Sequence, residues 1–459
     1  MGIAASLFCN PNDDENTLDR RIRPTEEQFD AQQARWNDLA EYLLSDLQER
    51  SAYPISSWLQ GSYKFGTQVR PAKKEQEFDI DLGVYFRWPG QPANGIHTAV
   101  EIKGIVQSSL AAYADDAQNE AESVSPPKAR CSRIHFKDSF HIDVPSYHLD
   151  ANRDARRLAT ENDEWELSDP KAIYEWWKSK FDDAGRARAR RLVRYLKMWA
   201  ALNFEDAGRP SSILLTVVAA EAIPQVAGGP QGDDEWLREI VDIILIRLRS
   251  STIVPNPAYK TENLNRLDYA ASSEFITKLD DLLDAADRAL GAPTTADAAD
   301  IWSEVFSHFF PLPAAESVTE SLTKSLATVA FEPDVGILAY GKGTAVQIRG
   351  RNSISVPRDC SIDFELLNAA QLPPNSVVKW MVRNEGEEAE ATNDLGHPAG
   401  FGNKANEHSA YKGIHHMDVT VKQYGRLIGY RRIPVTVSGW FMPKRNPARP
   451  SYVKFRGRR

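Results

Sequence analysis

The run Glu77-Phe78-Asp79-Ile80-Asp81-Leu82 constrains this chain more than any other. Residues two apart on a strand point to one face, so Asp79 and Asp81 project together while Phe78, Ile80 and Leu82 turn to a core. Adjacent carboxylates repel and are costly without a cation. Such a pair suits a hard, oxygen-seeking ion such as magnesium, although Asp-x-Asp alone also describes a solvated strand edge. A third acid, Asp143, sits in His141-Ile142-Asp143-Val144 with core-type neighbours and is expected on an adjacent strand. Three acids so arranged suit two metal ions about 3.5–4 Å apart, one activating an attacking hydroxyl and one stabilising a departing pyrophosphate.

Upstream lies Leu59-Gln60-Gly61-Ser62-Tyr63-Lys64-Phe65-Gly66-Thr67. A glycine lets the backbone approach a phosphate closely, and successive N–H groups with a serine hydroxyl can cradle its oxygens. Taken alone, Gly-Ser is more simply a turn. Its order and spacing relative to the three acids make the functional reading the stronger one.

The chain's 459 residues exceed one typical core, so two or three domains are expected. Thr25 with Gln28 forms a capping box before a helix carrying Phe29, Trp36, Leu39, Ala40, Leu43, Leu44 and Leu47 at helical spacing. The first twenty residues read as frayed. Strands are expected over Phe78–Phe86 and Ser139–Tyr147, with a helix around Val100–Ala112 between them. From Asp169 helical patterns dominate, through Trp199, Ile213–Ala222, Trp236–Leu248, Ser272–Leu290 and Ala298–Phe310. After Val329 short β-rich runs take over, with alternation clearest at Met417, Val419 and Val421. The domains are therefore set at 1–165, 166–328 and 329–459.

Composition excludes several classes. At 42% hydrophobic and 26% charged residues the chain can bury a core, so dominant disorder is excluded. Cys9, Cys131 and Cys360 lie far apart without metal spacing, which fits a reducing cytoplasm. No run approaches the roughly 18 apolar residues of a membrane span. Met1-Gly2-Ile3-Ala4-Ala5-Ser6 formally fits a myristoylation pattern, but patterns of that length recur by chance. The net charge of −9 argues against a general polyanion binder, and double-stranded DNA is not an expected partner. The tail Lys444–Arg459 is locally basic, as a solvated terminus or a contact with nucleotide phosphates or RNA.

The run from Gly61 to Leu82 with Asp143 resembles the polymerase-β-type nucleotidyltransferases. It is most similar to the bacterial SMODS or CD-NTase enzymes, relatives of cyclic GMP-AMP synthase and oligoadenylate synthetase. Gly-Ser-Tyr-Lys-Phe-Gly-Thr and Phe-Asp-Ile-Asp-Leu carry the likeness, which extends over about residues 25–310. The spacing between Ser62 and Asp79 is longer than in the animal relatives, so Arg70–Gln76 transfers least. Arg191–Trp199 resembles the family's helix whose lysine, here Lys197, reaches the triphosphate. Arg209–Leu215 resembles the serine-bearing helix start that follows, here Ser211 and Ser212. Simpler roles are a snorkelling Lys197 and a Ser211 that only caps its helix. Ile253–Asn263 resembles a proline-rich loop near the base pocket.

Residues beyond about 330 resemble the AGS-C sensor domain, through Val378–Asn384, Gly396–Phe401 and Gly425–Tyr430. The stretch from Asn384 to His416 reads as a long polar loop whose Asn384, Phe401 and His408 could, with Trp380, surround a nucleotide. A rigid accessory domain is the plain alternative. The expected fold class is α+β: a polymerase-β-like palm with an α-helical lobe, then a separate, mostly antiparallel β-domain.

The resemblance implies an enzyme that uses ATP, GTP or other nucleoside triphosphates with magnesium, or manganese in its place, at Asp79, Asp81 and Asp143. Gly61, Ser62, Lys197, Ser211 and Ser212 would bind the nucleotide. The product would be a cyclic or short linear second messenger that activates an effector in antiphage, CBASS-like defence. Two alternatives stand beside it: a toxin-like transferase acting on a protein or RNA acceptor, and a catalytically idle nucleotide sensor. Length favours the synthase over the toxin, and retention of all three acids speaks against an idle sensor.

Overall fold

The structure, a computed structural model, describes residues 2–12, 16–137, 140–227, 229, 231–311, 331–341 and 347–440. The chain divides into two compact units, Met1–Pro313 and Ala314–Arg459. The basic tail Lys444–Arg459 lies outside the described residues.

In the first unit, short helices α1 (Ala5–Phe8) and α2 (Leu18–Ile22) precede α3 (Glu26–Ser51), β1 (Ile55–Gln60), α4 (Gly61–Phe65), β2 (Phe78–Arg87) and α5 (Ala99–Asp115). Strands β3 (Ala121–Val124), β4 (Ser132–Phe136), β5 (Phe140–Val144), β6 (Ser146–Asp150), β7 (Ala155–Ala159) and β8 (Trp165–Leu167) follow. With β1 and β2 they form an eight-stranded sheet, ordered β3-β4-β5-β2-β6-β7-β8, with β1 also paired to β2.

The predicted strand Ser139–Tyr147 is interrupted at Pro145, which has no N–H to give a ladder. Its two halves keep one parallel register against β2, Asp81 beside Asp143 and Val84 beside Ser146. Pro145 still accepts a hydrogen bond from Val84 N at 3.0 Å.

One sheet face is apolar. Phe78, Ile80 and Leu82 of β2, Ile134 of β4 and Ile142 of β5 pack with Leu39, Leu43 and Leu47 of α3 and with Ile102, Val106 and Leu110 of α5. Burying each such side chain stabilises the fold by about 1.5–3 kcal/mol. Helix α3 begins at the expected capping box: Thr25 Oγ1 accepts from Gln28 N, and Gln28 Oε1 accepts from Thr25 N.

The helical part comprises α6 (Pro170–Ser179), α7 (Asp183–Asn203), α8 (Ser212–Ala222), α9 (Asp233–Ser250), α10 (Tyr269–Leu290) and α11 (Thr295–Phe306). The N-terminal segment corrects the sequence reading, because it is not frayed. Phe8 is fully buried among Tyr195, Trp302, Phe306 and Phe310, with ring centroids 4.9–6.1 Å away. Its partners lie nearly 200 residues or more downstream, so no local pattern reveals them.

The second unit has two sheets. One is ordered β10-β9-β12-β15, from β9 (Val335–Gly341), β10 (Gln347–Arg351), β12 (Cys360–Leu366) and β15 (Lys404–His408). The other is β11-β17-β16-β13-β14, from β11 (Ile354–Arg358), β13 (Ser376–Arg383), β14 (Gly396–Phe401), β16 (Gly413–Gln423) and β17 (Arg426–Trp440). All pairs are antiparallel except β11 with β17. Val335, Ile337, Ile362, Phe364, Trp380, Met417, Val419 and Val421 form a shared core. The stretch read as one long polar loop contains α12 (Glu387–Ala391), β14 and β15 instead. Glycine, asparagine and histidine in short strands masked the alternation.

Candidate active site

The sheet's opposite face is a polar lattice. On β2, Asp79 and Asp81 alternate with the core residues. The parallel register with β5 sets His141 beside Asp79 and Asp143 beside Asp81. The antiparallel register with β4 then sets His135 beside His141 and Arg133 beside Asp143. Two rows result: Asp81, Asp143, Arg133, and Asp79, His141, His135. The predicted triad is brought together, on adjacent strands of one sheet.

The first row is short of positive charge. Asp143 accepts both arms of the Arg133 guanidinium, Nε at 2.5 Å and Nη2 at 2.8 Å, and Lys128 Nζ stands 3.9 Å away. Burial pushes the Asp143 carboxyl up, but the Arg133 fork outweighs it and holds the group below its usual range. Among the described residues Asp81 has no such partner. Burial first, then the charges of Asp79 and Asp143, push it up to about 8. Oxygens of Asp79 and Asp143 and a nitrogen of His141 lie within 4.8 Å of one another. Two carboxylates and an imidazole so placed, beside an Asp81 whose ionisation burial and like charges disfavour, fit a divalent metal ion.

Gly61 is fixed by this arrangement. Its φ of +55° lies in the left-handed region, and an added Cβ would stand 1.9 Å from Asp81 Oδ2. Ser62 follows, half-buried in the first turn of α4.

Helix α7 grips the far end of the same segment. Arg190 Nε donates to Phe65 O at 3.0 Å and Arg194 Nη1 to Gly66 O at 2.8 Å. Lys197 Nζ donates to Thr67 O at 3.2 Å and to Thr67 Oγ1 at 2.9 Å. Burial, then the charge of Arg194, lowers the Lys197 amine to about 7, against the pull of Asp81 and Asp79. Lys197 is therefore drawn inward to the Gly-Ser loop, more than a snorkelling lysine would be. Ser211 is the N-cap of α8, accepting from Leu214 N at 3.3 Å, and Ser212 is exposed at its first position.

Sequence reasoning missed Glu77, Arg133, His135 and His141. The signal for Arg133 and His135 was the alternation Ser132-Arg133-Ile134-His135-Phe136, which sets them on one face. Arg190, Arg194 and Lys197 recur at helical spacing, yet only Lys197 was singled out.

The expected C-terminal pocket does not form as read. Trp380 is fully buried, its Nε1 donates to Gly402 O at 2.7 Å, and its ring packs near Phe364, so no face is open for stacking. Phe401 pairs with Lys379, the neighbour of Trp380, and therefore points to the other side of the sheet, where it is 72% exposed. Asn384 Nδ2 donates to Asp394 at 3.2 Å, and His408 is exposed 3.9 Å from Asp359.

Residues 55–147 match the family described as cyclic GMP-AMP synthase DncV-like, nucleotidyltransferase domain. Residues 316–438 match the adenylyl/guanylyl and SMODS C-terminal sensor domain. A cyclic GMP-AMP synthase from Escherichia albertii is 30% identical over 440 residues, 94% of this chain and 96% of that protein. The cyclic GMP-AMP synthase of Vibrio cholerae serotype O1 is 27% identical over 215 residues, 37% of this chain and 48% of that protein. The crystal structure of Vibrio cholerae DncV cyclic AMP-GMP synthase shares the fold, with a TM-score of 0.55 at 20% identity over 69% of this chain and 99% of that one.

Fold and site together define a nucleotidyltransferase, of a kind that works with divalent metal ions. The chain belongs to the bacterial CD-NTase family, as a DncV-like member with a C-terminal AGS-C domain.

Proposed function

We propose that this enzyme joins nucleoside triphosphates, ATP and GTP foremost, into a cyclic or short linear oligonucleotide messenger, with Asp79, Asp81 and Asp143 as its metal ligands. The carrying observation is the Asp81–Asp143 register beside Asp79, where among the described residues no cation pairs with Asp81. Magnesium bound there would activate the attacking hydroxyl and stabilise the leaving pyrophosphate.

This chain's residues do the rest. Arg133 fixes the carboxylate plane of Asp143 through two hydrogen bonds. Gly61 lets the backbone pass against Asp81, and the following Ser62 is placed to hold phosphate oxygens. Lys197 steadies the loop at Thr67 and lends positive charge toward Asp79 and Asp81. Ser211 and Ser212 would meet the nucleotide at the N-terminus of α8. Relatives named as cyclic GMP-AMP synthases support the choice of substrates and product. The sensor-domain match supports control of the enzyme by a ligand; a role in antiphage defence, in the cytoplasm and through a downstream effector, is part of the same proposal.

The test is incubation of purified protein with four labelled nucleoside triphosphates and Mg²⁺ or Mn²⁺, with products resolved by chromatography. A short oligonucleotide is expected. Asp79→Ala with Asp81→Ala should cut its formation by about 10²–10³-fold or more, the scale for losing preorganised electrostatic groups. Persistent product in the double variant would refute the metal site, and label appearing on protein or tRNA alone would favour a toxin-like transferase.

A further inference from the structure

The second row of the lattice carries a donor set of different chemistry. Glu77 Oε2 lies 2.8 Å from His135 Nδ1 and 2.8 Å from His141 Nδ1. Donor atoms of the three side chains all lie within 4.8 Å of one another. The far nitrogen of each ring is also engaged: His135 Nε2 with Ser125 Oγ at 2.7 Å, His141 Nε2 with Asp79 Oδ1 at 2.9 Å. Imidazoles that bind metals are commonly oriented this way, by a hydroxyl or carboxylate behind the ring. His135 and His141 stand on paired strands, so the sheet ladder fixes their separation. Two imidazoles with one carboxylate suit zinc, cobalt or nickel, whereas magnesium favours oxygen alone.

We propose that Glu77, His135 and His141 form a nitrogen-rich transition-metal site beside the carboxylate triad, on the Nδ1 side of the His141 ring whose Nε2 meets Asp79. The donor atoms open from 2.8 Å to the roughly 3.3 Å spacing that tetrahedral coordination at about 2.0–2.1 Å requires. Glu77 and His135 are partly exposed, so solvent and ions can reach the cluster. With a metal on Nδ1, His141 keeps its hydrogen on Nε2 and donates it to Asp79. A filled site thereby fixes the rotation of Asp79, one of the three acids.

The experiment is titration of the metal-free full-length protein with Co²⁺ in excess Mg²⁺, followed by visible absorption. One equivalent should produce the band of a low-coordinate nitrogen-ligated ion, displaced by Zn²⁺ and not by further Mg²⁺. Glu77→Gln and His135→Gln should abolish it, and Ser125→Ala should weaken Co²⁺ binding about 10- to 100-fold. Asp81→Asn should retain it. A wild-type protein without the band, a band unchanged in Glu77→Gln and His135→Gln, or one lost in Asp81→Asn overturns the proposal. Should the variants fold poorly, NMR of the wild-type Co²⁺ form decides. Two paramagnetically shifted imidazole N–H signals support the site, and fewer than two reject it.

Discussion

Asp81 in the first unit is half-buried and Asp418 in the second fully buried, and the two are held in opposite ways. Asp418 is 1% exposed. It accepts from Arg383 Nε at 2.7 Å, from Arg432 Nε and Nη2 at 2.9 and 3.2 Å, and from the Tyr430 hydroxyl at 3.2 Å. Burial pushes its carboxyl up, but Arg432 and Arg383 outweigh that and hold it below the usual range. Around Asp81 the neighbours are carboxylates, and the nearby cations are committed elsewhere, Arg133 to Asp143 and Lys197 to Thr67. One network is closed within the chain and the other is short of a cation. A closed buried network serves the fold, whereas an uncompensated one is maintained for a ligand.

Neutralising each acid in turn should break that symmetry most visibly. Asp418→Asn leaves Arg383 and Arg432 buried without their counter-charge and should destabilise the second unit by about 3–5 kcal/mol. Asp81→Asn replaces a largely protonated acid with a neutral amide and should leave stability in EDTA unchanged, or improved where the acid would ionise, while transfer activity falls to background. Urea denaturation of the full chain in EDTA, followed by circular dichroism, measures both. Equal losses from the two substitutions would mean that Asp81 has a structural partner after all.

A smaller effect is expected where the backbone passes against Asp81. Gly61→Ala imposes a left-handed conformation on a residue with a Cβ, costing about 1–2 kcal/mol, and drives that Cβ toward Asp81 Oδ2. Activity should fall by more than this stability loss explains, because Asp81 must turn away from its neighbours. Activity preserved in Gly61→Ala, with stability measured by thermal melting, would show that the close approach has no role in the reaction.

The acids were legible in the sequence because a strand's period of two is short and local: Phe78, Ile80 and Leu82 declare the core face, and Asp79 and Asp81 follow. Their alignment with Asp143 was also accessible, since a helix between two strands implies a parallel crossover. What the sequence concealed is registration across strands. Arg133 and His135 became neighbours of Asp143 and His141 only through pairing of β4 with β5. Phe8 was concealed for a related reason, its aromatic partners being distant in sequence. Trp380 misled because an aromatic residue beside polar ones reads the same whether it faces a ligand or a core. The sandwich decided that by placing Trp380 opposite Phe364.

The subtlest contrast between the two acids lies in pH. For Asp81 the folded, metal-free value is about 8 against an ordinary 3.8, so between about pH 4 and 8 the folded state holds a proton the unfolded chain has released. Stability therefore falls as pH rises through that window. For Asp418 the folded value lies below the ordinary one, so its contribution is fully present above about pH 3.8 and is lost as pH falls through the depressed value. Subtracting the melting curve of Asp81→Asn from that of wild type in EDTA isolates the first effect from the other titrating groups. The difference should slope downward with rising pH over about 4–8 and be level above it. The matching difference for Asp418→Asn should be level there and drop only in acid. Adding Mg²⁺ should flatten the Asp81 slope, because a bound cation replaces the retained proton and gains most where that proton is already leaving. An Asp81 difference curve that ignores both pH and Mg²⁺ would mean this carboxylate is compensated like Asp418, and the distinction between the two sites would fail.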